Sequence, residues 1–142
     1  MTGVAQTYLA RSRAAEVYDL VRRTSLDMAP NLSARIGHKL WLKREDMQAT
    51  HSFKLRGAHN CIMQLTGEER GKGVVAASAG NHAQGVALSA RELGVKATIF
   101  MPVTTPEIKV RAVEALGAHI ELCGDDYDTA CEEAIAFSHA TG

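Results

Sequence analysis

The sequence predicts an α/β fold: an open, mostly parallel, doubly wound sheet of about four strands with helices on both faces. Three observations lead there. Apolar runs of strand length alternate four times with segments of helical periodicity. The links between them are short, as right-handed crossovers require. The run Gly73-Val74-Val75-Ala76-Ala77 is too uniformly apolar for a half-exposed strand, which suits a sheet covered on both sides.

Each element has its own signal. Part of Val4 to Ala15 reads as an amphipathic helix, followed by a less regular stretch through Thr24 and Leu26 with a break at Pro30. Lys39-Leu40-Trp41-Leu42-Lys43 reads as a short strand. From Ser52 onward, Leu55, Ala58, Ile62 and Leu65 recur at helical spacing until Gly67. The strand at 73–77 leads into a helix from Asn81 to Leu93, closed by Gly94, and Lys96 to Met101 gives a third strand. Thr105-Pro106-Glu107 supplies a cap residue, a proline at the first helical position and an acid near the positive dipole end. Gly117 ends that helix, and Ala118 to Cys123 forms the fourth strand. A last helix starts at Asp125 or Asp126 and is expected to bury Tyr127, Ala130, Cys131, Ala134 and Ile135 on one face. There is no internal repeat, low-complexity tract or long linker.

The 142 residues suffice for one domain with a real core. Apolar residues make up 46% and charged residues 23%, and sixteen basic side chains balance sixteen acidic ones. That balance supports neither a nucleic-acid partner nor an anionic membrane surface. The apolar runs fall short of the ~20 residues a membrane helix needs. Arg11, Arg13, Glu16 and Asp19 interrupt any signal-peptide block, so a cytoplasmic location is expected. Three cysteines without C-x-x-C spacing read as buried or half-buried free thiols. The six histidines form no ligand pair, so no metal site is expected. Neither G-x-G-x-x-G, a P-loop nor a G-x-S-x-G elbow is present. Glu45-Asp46 beside Lys43-Arg44 reads as a solvated charge cluster.

Two strand-to-helix junctions carry the chemistry. In an open parallel sheet all such junctions fall on the carboxyl edge, where ligands bind, so His51-Ser52-Phe53-Lys54-Leu55-Arg56-Gly57-Ala58 and Ser78-Ala79-Gly80-Asn81-His82-Ala83-Gln84-Gly85 are expected to converge. A lysine in the first turn of a helix feels the positive end of the dipole, which lowers its proton affinity, and partial burial would lower it further. A neutral amine attacks carbonyl carbon. Lys54 equally reads as an exposed lysine with its stem along the helix. In the second junction, small residues let a ligand approach the backbone, and N–H groups at the helix start hold carboxylate or phosphate. Ser78 and Asn81 add polar side chains there, yet either also serves as an ordinary helix cap. His82 reads as a substrate contact or a plain first-turn residue.

Lys43-Arg44-Glu45-Asp46, the run around Lys54 and Ala77-Ser78-Ala79-Gly80-Asn81-His82-Ala83-Gln84-Gly85-Val86-Ala87 together resemble the threonine dehydratases (threonine deaminases), from about Tyr8 to the chain end. These are pyridoxal 5'-phosphate enzymes of the tryptophan-synthase-β fold type. S-F-K-x-R-G is similar to the hydroxy-amino-acid dehydratases and serine racemases. His51 before Ser52 looks more like the biosynthetic enzyme of the isoleucine pathway than the catabolic one, which usually has glycine there.

The resemblance implies that Lys54 holds the cofactor through a Schiff base, that Phe53 packs near the pyridine ring and that Asn81 bonds its phenolic oxygen. It implies that Ser78, Gly80, Asn81 and His82 receive the carboxylate of L-threonine or L-serine, and that the intact enzyme is a homo-oligomer. It further implies that residues 1–38 are an N-terminal helix and lead-in segment of a larger domain. Residues 39–142 would then be the small domain carrying the lysine, and the 142-residue piece alone would be nearly inactive. Thr24-Ser25-Leu26 departs from the family's usual T-P-L, and no two glycines are adjacent, so the family's glycine-rich phosphate loop has no counterpart in these residues. Serine racemase and catabolic dehydratase stay open as alternatives, as does a non-catalytic α/β module that binds an amino acid or anion.

Overall fold

The computed structural model describes residues 3–142; the first two positions of the 1–38 segment lie outside the described residues. Its centre is a parallel sheet of three strands, β3 (Val74–Ala77), β4 (Ala97–Met101) and β5 (His119–Leu122), in the order β3-β4-β5. The register runs Ala77 opposite Phe100 and Met101 opposite Leu122, so the three carboxyl ends lie level. The first expected strand, at 39–43, forms but sits elsewhere. Trp41–Lys43 (β2) pairs antiparallel with Leu26–Met28 (β1) in a separate two-stranded sheet. All three of its residues are exposed, and its partner, a three-residue strand in a stretch that reads as irregular, is what the sequence hides.

The connections explain how the sheet is covered. α5 (Asn81–Glu92) and α6 (Glu107–Glu114) cross from strand to strand and pack on one face, with α3 (Lys54–Met63) laid along α5. α7 (Tyr127–Thr141) covers the other face, where Phe137 meets Phe100 with ring centroids 5.4 Å apart. Ile99 and Met101 of β4 are fully buried against Ala83, Val86 and Ala87 of α5. Fully burying one such side chain stabilises by roughly 1.5–3 kcal/mol. Because β3 is an edge strand, its four residues are only partly buried, contrary to the reading of its composition.

Several boundaries depart from the sequence reading. Pro30 opens a helix, α2 (Pro30–Ile36), rather than only breaking the chain. Gly67 does not end α3; it begins a short helix, α4 (Gly67–Lys72), capped by Thr66 with Glu69 returning the bond. Thr105 does not cap α6, since Pro106 holds the cap position and Thr105 Oγ1 is buried with no partner among the described residues. On α7 only Ala130 and Ala134 are buried, while Tyr127 and Ile135 are more than half exposed. Asp126 caps that helix, its Oδ1 accepting from Thr129 N at 2.9 Å. Gly94, at φ +66°, closes α5 as expected. α1 (Gly3–Ala14) forms but buries none of its residues, so no apolar face of it is in use.

Residues 15–23 follow α1 and pack back onto the lysine-bearing helix. Val17 and Val21 bury themselves with Leu55 of α3 and Leu88 of α5. Among the described residues no helix is long and apolar enough to cross a membrane.

Candidate active site

Lys54 is the first residue of α3, and the start of α3 lies against α5. Ser52 steers the chain into that helix: its hydroxyl accepts from Lys54 N at 3.4 Å, and the residue is buried. Phe53 holds the cap position and is exposed, and Lys54 Nζ lies 5.3 Å from its ring centroid. The expected partial burial of Lys54 is not found, because the residue is exposed.

Directly before this helix, His51 adopts φ +53°, the one positive φ of a non-glycine residue among those described. Its Nδ1 lies 3.1 Å from the Asp46 carbonyl oxygen, a local bond that fits a polar side chain to a left-handed turn.

The second junction leaves the carboxyl end of β3. Ser78 N donates to the Phe100 carbonyl at 3.0 Å, which ties the turn to β4. The Ser78 hydroxyl accepts from Gly80 N at 3.3 Å, so it closes its own turn and does not cap the helix. Gly80 holds the cap position of α5 without any side-chain cap bond, and Asn81 and His82 are the first two helical residues, both exposed. A Cβ built on Gly80 would meet no atom within 4 Å. The cap reading of Ser78 and Asn81 therefore falls away.

The two junctions do converge. His82 has its pKa pushed below the ordinary histidine range by partial desolvation first and by the positive charge of Lys54 second. The Lys54–Leu55 peptide packs on α5 at Gly85, one helical turn beyond Asn81, so the two junctions lie beside each other at the start of α5. No hydrogen bond joins Lys54 Nζ to Ser78, Asn81 or His82 among the described residues, so what converges is placement, not a bonded network.

Sequence reasoning misread Glu45. It is no solvated charge: its side chain is 15% exposed and accepts two bonds from Arg56, each 2.8 Å, one from Thr24 at 2.6 Å and one from Gln48 at 3.1 Å. The Arg56 hydrogen bonds chiefly hold its carboxyl at about 2, well below the usual range. Gln48, itself buried, also pairs with both backbone groups of Arg22. Asp46 does fit the surface reading, paired with Arg44 at the exterior. Arg56 stands two residues beyond Lys54, so this network fastens the lysine's helix to the lead-in segment. The signal was the Glu45…Arg56 pair of opposite charges, invisible as a pair without knowing that the chain folds back. His59 adds a second tie, its Nε2 2.9 Å from Asp19 Oδ1.

Cys61 is exposed, against the expectation of buried or half-buried thiols, while Cys123 and Cys131 are partly buried; all three are free. Among the described residues no group of three His, Cys, Asp or Glu side chains is placed to hold a metal.

A family model described as pyridoxal-phosphate dependent enzyme matches residues 17–142, and the chain belongs to that family. The likeness narrows from there. The chain is 54% identical over 123 residues to a protein of Solanum lycopersicum named threonine dehydratase 1 biosynthetic, chloroplastic, covering 87% of this chain and 20% of that relative. It superposes with a TM-score of 0.93 on the processed form of threonine deaminase isoform 2 from the same species, at 46% identity, covering all of this chain and 39% of the other. Maize serine racemase follows at a TM-score of 0.85 and 36% identity, with 93% of this chain and 40% of that one covered. The chain thus spans about a fifth of the first relative's length.

Proposed function

We propose that this chain is the cofactor-lysine part of a threonine dehydratase that converts L-threonine to 2-oxobutanoate and ammonia in isoleucine biosynthesis. The observation that carries the reading is the packing of the Lys54–Leu55 peptide on α5 at Gly85, one helical turn beyond Asn81, supported by the likeness to named threonine dehydratases. Serine racemase is the second reading, favoured by the structural likeness to the maize enzyme at lower identity.

The residues present fit the reactive end of pyridoxal phosphate. An amine stands at a helix start, an exposed aromatic ring lies beside it, and an uncapped helix with open space over Gly80 faces it. Lys54 would hold the cofactor's aldehyde carbon, with Phe53 and Asn81 beside the ring. Bound there, the cofactor supplies an electron sink for charge developing at the substrate's Cα.

The chain's own residues do the rest. Ser78, Gly80, Asn81 and His82 receive the substrate carboxylate at the start of α5, where the dipole and N–H groups favour an anion. Fixing that end of the substrate fixes the direction of its Cα–H bond. Lys54, with its amine free, would take the Cα proton as general base. Partial desolvation and then the Lys54 charge lower the His82 pKa, which favours its neutral form beside the amine. Departure of the β-hydroxyl with that proton, as water, would leave the substrate as an enamine, which hydrolyses in solution to the keto acid and ammonia.

A small domain at residues 39–142, a lead-in segment at 1–38, a homo-oligomeric assembly and a cytoplasmic location belong to the same reading. The test is a product assay on the complete gene product. L-threonine should yield 2-oxobutanoate, and Lys54→Ala should abolish it; D-serine from L-serine as the main product would favour the racemase instead.

A further inference from the structure

Gly85 stands in the interior of α5, where glycine is a poorer helix former than alanine. A Cβ built there would lie 3.2 Å from the Lys54 carbonyl carbon, 3.2 Å from Leu55 N and 3.3 Å from Leu55 Cα. These are backbone atoms of the peptide that follows the lysine, so no rotamer change relieves the crowding. The same construction on Gly57, in α3 itself, meets nothing within 4 Å. Leu55 is fully buried in one cluster with Val17, Val21 and Leu88, which limits how far the first turn of α3 can retreat.

We infer that Gly85 is a positioning residue for Lys54. Lacking a Cβ, it seats the Lys54–Leu55 peptide directly on the α5 backbone and so sets where the amine emerges beside the Ser78–His82 turn. The seat lies one turn into the helix whose first residues, Asn81 and His82, end the turn, so the contact at Gly85 bears directly on the spacing between the amine and that turn. This inference rests on Lys54 being the cofactor amine and adds a residue that acts through it.

Capture of an aldehyde by Lys54 forms a carbon–nitrogen double bond to Nζ and releases the carbonyl oxygen as water. Pyridoxine 5'-phosphate carries an alcohol in place of the aldehyde and binds without that step. The complete gene product and its Gly85→Ala and Gly57→Ala variants are titrated calorimetrically with both compounds, and their thermal midpoints are recorded. Gly85→Ala should weaken pyridoxal phosphate binding roughly tenfold or more through displacement of the amine. It should leave pyridoxine phosphate binding and the thermal midpoint unchanged, and Gly57→Ala should change none of them. Unaltered binding of the aldehyde, an equal loss for both compounds, or a Gly85→Ala chain that does not fold would each overturn the inference and leave Gly85 a packing residue. Aldehyde capture that persists in Lys54→Ala overturns instead the assignment of the amine, and the inference with it.

Discussion

Replacing Glu45 by alanine removes four hydrogen bonds at once: two from Arg56, one from Thr24 and one from Gln48. The fall of its carboxyl from 4.5 to about 2 corresponds to about 3 kcal/mol between the two protonation states. The side chains of Glu45 and Arg56 are 15% and 26% exposed, so solvent screens part of this and about 2 kcal/mol is a fairer expectation. Because the folded carboxyl is depressed, the contribution is complete above pH 4.5 and fades as pH falls toward about 2. Urea unfolding of wild type and Glu45→Ala should therefore differ by about 2 kcal/mol at neutral pH, with the gap closing through the acid window. A double-mutant cycle with Arg56→Ala should assign most of that to the pair, at over about 1 kcal/mol of coupling. A gap that does not change with pH, or coupling near zero, would refute the idea that this pair fastens the lysine's helix.

Two other substitutions probe how the chain reaches and leaves that helix. At His51, φ +53° penalises a β-branched side chain, so His51→Val should be less stable than His51→Gly by roughly 1–2 kcal/mol in denaturant unfolding. Equal stabilities would mean that the turn before Lys54 is not left-handed in solution. Thr66→Ala removes the side-chain half of the α4 capping box, the Thr66 Oγ1 that accepts from Glu69 N, and should cost about 1 kcal/mol, whereas Thr66→Ser should cost little; thermal melts compare the two.

The parallel sheet was legible because its signals are local. Strand runs at 73–77, 96–101 and 118–123 and the closing glycines at 94 and 117 each announce themselves within a few residues. The pairing of Leu26–Met28 with Trp41–Lys43 was not, since a three-residue strand has no periodicity and its partner lies far along the chain. The same holds for the site. Lys54 and the turn at 78–82 stand out as motifs, and their meeting follows from sheet topology. Glu45, Gln48 and Gly85 do not stand out. The roles of the first two depend on the chain folding back over α3, and that of Gly85 on how closely α5 approaches the Lys54–Leu55 peptide. A charged pair split between two segments looks like two surface charges until the fold joins them.

Treating the complete, cofactor-loaded gene product with borohydride and mapping the labelled peptide tests the assignment of Lys54 most directly. Reduction should leave the pyridoxyl group on Nζ of Lys54, in the peptide containing Ser52-Phe53-Lys54. A label on Lys72, Lys96 or any other lysine, or none at all, would contradict it.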